Sequence, residues 1–145
     1  MAAVAVPNGS RPRLNALRVA DAMTTGVISC SPETPLRAVA RIMTQRRVHA
    51  VYVFDYGLED DESVELWGLV SDLDLVAAAR GEIDNATARQ VSITPLVTVF
   101  SDDTLDRASR LMAEYGVSHL AVLDPATSRP VGVLSTLDIA GVVAA

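Results

Sequence analysis

Gly132-Val133-Leu134-Ser135-Thr136-Leu137-Asp138 has an earlier version in the same chain, Gly68-Leu69-Val70-Ser71-Asp72-Leu73-Asp74. Each stretch is a glycine, two strand-type apolar residues, a serine, and an aspartate three places beyond that serine. The pattern describes a buried strand running straight into a helix with a capped first turn. Because first-turn amides have no partner inside their helix, each junction forms a polar corner that favours an anion.

Working outward, the duplication extends upstream. Leu36, Val39, Ala40 and Met43 stand at i, i+3, i+4 and i+7, one apolar stripe on a helix. Leu105, Ala108, Ser109 and Met112 repeat that spacing at an offset of 69 (105 − 36). The same offset carries Val48 to Val117, Val51 to Leu120, Val53 to Val122 and Asp55 to Asp124. At the closing Gly-to-Asp stretch it falls to 64 (132 − 68), so the first copy holds five extra residues (69 − 64) within 56–65. Those include Glu59, Asp60, Asp61 and Glu62, which read as a solvated loop and lack the spacing of a calcium-binding loop.

Each copy predicts the order β-α-β-β-α. A short strand (27–30; 96–99) leads through a turn to the striped helix, with Thr34 and Thr104 as expected N-caps and Pro35 in the first helical position. Two strands follow (50–54 and 119–123, then the two Gly-to-Ser strands), and a short helix closes each copy (72–80; 136–143). A copy of about sixty residues is marginal for a core of its own, so two are expected to pack together. The boundaries drawn are a flexible lead-in over 1–16, a first repeat over 17–80, a linker over 81–87 and a second repeat over 88–145.

Bulk composition sets the limits. The 145 residues are half hydrophobic, enough for a packed core. A formal net charge of −6 argues against sequence-independent binding of nucleic acid. Cys30 is the single cysteine, which excludes an internal disulfide and a thiolate metal cluster and reads as a small core residue. No apolar run reaches the ~18 residues of a membrane span, and the first residues do not form a secretion signal. A soluble, cytoplasmic protein is expected, with no membrane partner. Catalysis is not: the residues show no nucleophile–base arrangement, no metal-ligand spacing and no glycine-rich phosphate loop.

Ala22-Met23-Thr24, the stripe from Leu36 to Met43, the strand ending at Asp55 and the Gly68-to-Asp74 stretch together resemble a CBS domain, and the second copy resembles another. The resemblance runs from Leu17 to Val143 and implies a tandem pair, or Bateman module. It implies an α/β (α+β) fold of two repeats related by pseudo-two-fold symmetry. It also implies a non-catalytic regulatory role, binding of AMP, ADP, ATP or a related adenosine compound in clefts between repeats, and a homodimer. The resemblance implies that no cofactor or metal is required, and it leaves the regulated partner protein unspecified.

The resemblance also nominates residues. Asp74 and Asp138 become ribose contacts, with Ser71 and Ser135 facing phosphate, although Ser-x-x-Asp is equally a plain capping box worth ~1 kcal/mol per helix. His49 and His119 occupy neighbouring, non-equivalent positions: the offset matches His49 to Ser118 and His119 to Ala50. Relatives often carry basic phosphate contacts there, and the uncharged Ala50 implies clefts of different affinity. Arg46 and Arg47 add positive charge, or simply end a helix favourably. Val27 and Leu96, with Ile28, Val97, Val51 and Leu120, could wall the base or serve as ordinary sheet residues. Ser92 stands where the family sometimes presents a polar side chain, and Trp67 could stack on a base or pack on the sheet. The competing reading is an assembly module, whose small-residue helix faces (77–79; 140–141) fit a dimer seam.

Overall fold

A computed structural model describes residues 10–56, 64–81, 83–92 and 96–145; the side chains of 10–12, 56 and 64–67 fall outside that description. The described chain forms two compact units, one over 27–96 and the other over 97–145 together with the residues up to Gly26.

In the 27–96 unit, β2 (Ser29–Cys30), β3 (Ala50–Tyr56) and β4 (Val64–Ser71) make a sheet in that order, with β2 parallel to β3 and β4 antiparallel. Helix α3 (Leu36–Arg46) packs its stripe onto the sheet: Leu36, Val39 and Met43 are buried with Val51, Val53 and Val70. Helix α4 (Asp72–Ala79) leaves β4 at Ser71, and α5 (Ala88–Val91) returns after one turn of 3₁₀ helix at Ile83–Asn85. In the other unit β5 (Thr98–Phe100), α6 (Leu105–Tyr115), β6 (His119–Leu123), β7 (Pro130–Ser135) and α7 (Thr136–Ala144) repeat the plan. Here Leu105, Ala108 and Met112 meet Leu120, Val122 and Leu134. The expected β-α-β-β-α order is therefore present twice.

The elements before each β-α-β-β-α body complete these units. The segment holding α1 (Ser10–Ala16), α2 (Val19–Ala22) and β1 (Thr24–Thr25) joins the 97–145 unit, where β1 pairs antiparallel with β7. Val19 is fully buried among Leu105, Leu120 and Leu134. The attachment is a set of backbone hydrogen bonds: Leu105 N–H to Leu17 carbonyl (3.0 Å), Val19 N–H to Asp103 carbonyl (2.8 Å) and Ala20 N–H to Ser101 carbonyl (2.9 Å). The matching positions of the 27–96 unit repeat these bonds, Leu36 to Ala86 (3.0 Å), Ala88 to Thr34 (2.9 Å) and Arg89 to Pro32 (2.8 Å), and Ala88 is buried as Val19 is. Thus the leader of the first repeat completes the body of the second, and the leader of the second completes the body of the first.

Ser10–Ala16, at the end of the expected lead-in, form a helix; Leu14 and Leu17 pack on the core beside α6, and the Arg13 guanidinium donates to the Ala145 carbonyl. One expectation is corrected. Thr34 does not cap α3; its Oγ1 accepts the Ser31 N–H at 3.1 Å instead. At the offset of 69 the counterpart of Thr104 is Pro35, which has no side-chain acceptor, while Thr34 corresponds to Asp103, whose carboxylate accepts the Phe100 N–H in the same turn. Thr104 does cap α6, accepting the Arg107 N–H at 3.1 Å.

Gly68 and Gly132 answer to the same crowding. A Cβ on Gly132 would meet the Thr24 carbonyl, and one on Gly68 would stand 2.9 Å from Ser92 Cβ. Opposite each glycine the sheet register shifts, between Val53 and Phe54 and between Val122 and Leu123. The glycines let a leader cross the strand closely.

Candidate functional site: two serine–aspartate corners

Each corner is a strand end locked to a helix start. In the 27–96 unit the Ser71 N–H donates to Asp74 Oδ2 at 2.9 Å, and the Asp74 N–H donates to Ser71 Oγ at 3.2 Å. The Ser71 hydroxyl adds a 3.0 Å bond to the same carboxylate oxygen. In the 97–145 unit the matching bonds are Ser135 N–H to Asp138 Oδ2 at 2.8 Å and Asp138 N–H to Ser135 Oγ at 3.2 Å. Both are complete capping boxes, so the structural role of the four residues is realised. It does not exhaust them. A carboxylate offers about four acceptor positions, and among the described residues the Oδ1 atoms of Asp74 and Asp138 accept nothing. Both aspartates are half-buried.

Sheet register brings the histidines to these corners. The Asp72 N–H donates to the His49 carbonyl at 2.8 Å, and the Thr136 N–H donates to the Ser118 carbonyl at 2.9 Å, so His49 and Ser118 are structural counterparts. Ala50 pairs with Ser71 as His119 pairs with Ser135. His49 Nδ1 lies 3.0 Å from Asp72 Oδ2, with both side chains substantially exposed. His119 Nδ1 lies 2.8 Å from Ser118 Oγ and is half-buried. One corner thus carries an imidazole–carboxylate pair, the other an imidazole–hydroxyl pair. The sequence singles out both histidines but not Asp72. A signal for Asp72 lies in the register, which follows once the Gly-to-Ser strand is paired with the strand after His49.

The remaining candidates take no part in the two capping boxes. Ser92 is buried over Gly68 and its hydroxyl donates to the Ala88 carbonyl at 2.7 Å, an interaction within its own helix turn. Val27 precedes β2 and is 40% exposed, while Leu96 is half-buried ahead of β5. Cys30 is half-buried, and that burial raises its thiol above the ordinary value, against the smaller lowering effect of a hydrogen bond with Thr34. The Trp67 side chain and the acidic stretch 59–62 lie outside the described residues. Among the described residues no group of three or more His, Cys, Asp or Glu side chains is placed to hold a metal ion, and no helix is long and apolar enough to cross a membrane.

Comparison with known proteins agrees with this architecture. The family model described as "CBS domain" matches residues 19–81 and again 88–145. The chain is 30% identical over 124 residues to the CBS domain-containing protein YhcV of Bacillus subtilis (strain 168), covering 84% of this chain and 82% of that one. Among solved structures, the CBS domain pair of protein MJ0100, in complex with 5′-methylthioadenosine and S-adenosyl-L-methionine, superposes with a TM-score of 0.73 at 20% identity. That match covers 88% of this chain and 96% of the other. The CBS domain of the bacterial CNNM/CorC family Mg²⁺ transporter gives 0.73 at 16% identity, covering 93% and 80%. With its doubled strand–helix corner and both repeats matched, the chain belongs to the CBS-domain family as a tandem pair.

Proposed function

We propose that this CBS pair is a non-catalytic regulatory module that binds an adenosine nucleotide or derivative at its serine–aspartate corners and signals occupancy to a partner protein. The observation that carries this reading is the state of Asp74 and Asp138. Among the described residues each spends Oδ2 on its cap and nothing on Oδ1, at a helix start whose corner also holds a histidine. A ribose hydroxyl donating to Oδ1 needs no rearrangement of the cap. The adenosine ligands of the MJ0100 pair support the chemical class. The coupling would be differential binding, in which ligand favours one arrangement of the module by about 1–3 kcal/mol.

A thermal-shift panel of AMP, ADP, ATP, S-adenosylmethionine and 5′-methylthioadenosine tests it. A binder at 100 times its Kd stabilises by about 2.7 kcal/mol; a flat panel at millimolar ligand rejects the reading. Asp74→Ala and Asp138→Ala should each remove a charge-assisted bond of ~1.5–3 kcal/mol, about ten- to hundredfold in Kd.

A second reading, assembly into a homodimer, has its own observation. Leu73 and Val76 on α4 are 64% and 61% exposed, and Leu137 on α7 is 70% exposed. Ala77, Ala140 and Gly141 extend the same exposed faces. Large aliphatic side chains in solvent at equivalent places in both repeats mark surfaces for association.

A further inference from the structure

We infer that Arg47 sets the ligand class of the corner at Ser71, selecting with Arg46 and His49 an adenosine compound that carries a phosphate chain, while the corner at Ser135 takes one without it. The inference rests on the adenosine-binding reading and narrows it.

The two repeats supply the comparison. His49 and Ala50 meet the corner at Ser71, and Arg46 and Arg47 come just before them in the chain; the counterparts of Arg46, Arg47, His49 and Ala50 are Tyr115, Gly116, Ser118 and His119. Helices α3 and α6 end alike. Arg47 and Gly116 are both left-handed, with φ 54 and 64, and both donate their N–H to the carbonyl four residues back, Met43 and Met112. The next residues, Val48 and Val117, donate to those same carbonyls at 3.1 Å. The backbone ending is therefore complete without any side chain at this position. Glycine adopts it freely, whereas an arginine Cβ crowds the following carbonyl. Among the described residues, Ser128 is the one other non-glycine with a positive φ.

The arginine is thus held where glycine serves the fold better, and no described residue pairs with its head. Arg46 and Arg47 are exposed, and among the described residues neither guanidinium forms an ion pair or a hydrogen bond. Two unpartnered guanidiniums within three residues of His49 match a phosphate chain, whose oxygens they can grip in bidentate fashion. The opposing charges at this corner are Asp72, already beside His49, and Asp74. The corner at Ser135 carries Asp138 and, in the stretch 115–119, a single basic side chain, His119, with no arginine or lysine, so it favours a polyanion less than the corner preceded by two arginines.

The test is calorimetry and thermal melting of the full chain with ADP, 5′-methylthioadenosine and inorganic tripolyphosphate, on wild type, Arg47→Gly and Arg47→Asn. Glycine and asparagine both accept the left-handed backbone, so neither variant should lose its fold. Expected are ADP and tripolyphosphate affinities about tenfold weaker in both variants, 5′-methylthioadenosine affinity within about twofold of wild type, and an unliganded Tm for Arg47→Gly about 2 °C higher. Unchanged ADP affinity, equal loss for ADP and 5′-methylthioadenosine, or a lower unliganded Tm would each overturn the inference while leaving adenosine binding intact. Wild type that binds neither adenosine compound removes the underlying reading, and this inference with it.

Discussion

Thr24 lies against Gly132 so closely that its carbonyl oxygen occupies the space a Cβ would need. Gly132→Ala must therefore push β1 away from β7 and should destabilise by about 1–3 kcal/mol. Gly141 on α7 has nothing within 4 Å of its own Cβ position, and Gly141→Ala should stabilise by roughly 0.5–1 kcal/mol. Urea denaturation of both variants checks the pair; equal effects would show that the crossing has room for a methyl group.

Val19 tests the exchanged leader. It is fully buried against Leu105, Leu120 and Leu134, residues from the far end of the chain. Val19→Ala should cost about 2 kcal/mol, two methyl groups of burial plus a small cavity. Hydrogen exchange should place the loosening in β6 and β7, not in β3 and β4.

The two threonines that precede the striped helices separate a cap from a turn. Thr104→Ala removes the bond from Arg107 and should cost about 1 kcal/mol. Thr34→Ala removes turn contacts to Ser31 and no helix-cap bond, and should cost less. Chemical-denaturation midpoints decide, and the reverse ranking would refute the assignment.

Cys30 gives a pH prediction. Burial raises its thiol pKa above the ordinary value, so between the unfolded and folded values the unfolded chain holds fewer protons. Stability is then fully present below the unfolded pKa and declines as pH rises through the folded one. Alkylation by iodoacetamide should lag that of a free thiol at equal alkaline pH. Thr34→Val removes the opposing hydrogen bond and should slow it further; faster alkylation would contradict the assigned cause.

The exposed helix faces predict association. Leu73→Glu combined with Leu137→Glu should leave the melting temperature near wild type and abolish any dimer seen by sedimentation velocity. A wild-type chain that sediments as a monomer at all concentrations would retire the homodimer reading.

Much of this fold is legible in the residues alone. The stripes at Leu36 and Leu105 betray their helices because apolar residues at i, i+3, i+4 and i+7 line up only on a 3.6-residue turn, and Ser71 and Ser135 announce their caps locally. What the residues conceal depends on distance along the chain. Thr34 looks like a cap by residue type, yet the place of Thr104 is taken by Pro35, and the Thr34 hydroxyl holds the preceding turn as the Asp103 carboxylate does. The His49–Asp72 contact joins two exposed polar residues that only strand register brings together. Charge alone makes Arg47 look like a favourable helix end; its left-handed backbone is a property no side-chain pattern discloses.

The crossed leaders mean that a residue's address in the sequence and the body it supports can differ. A lesion at Leu17 or Val19 is numbered within the first copy yet weakens the second, and one at Ala88 does the reverse. Neither copy could be lost, replaced or grafted as a self-contained cassette, because each would leave behind a neighbour stripped of its clasp.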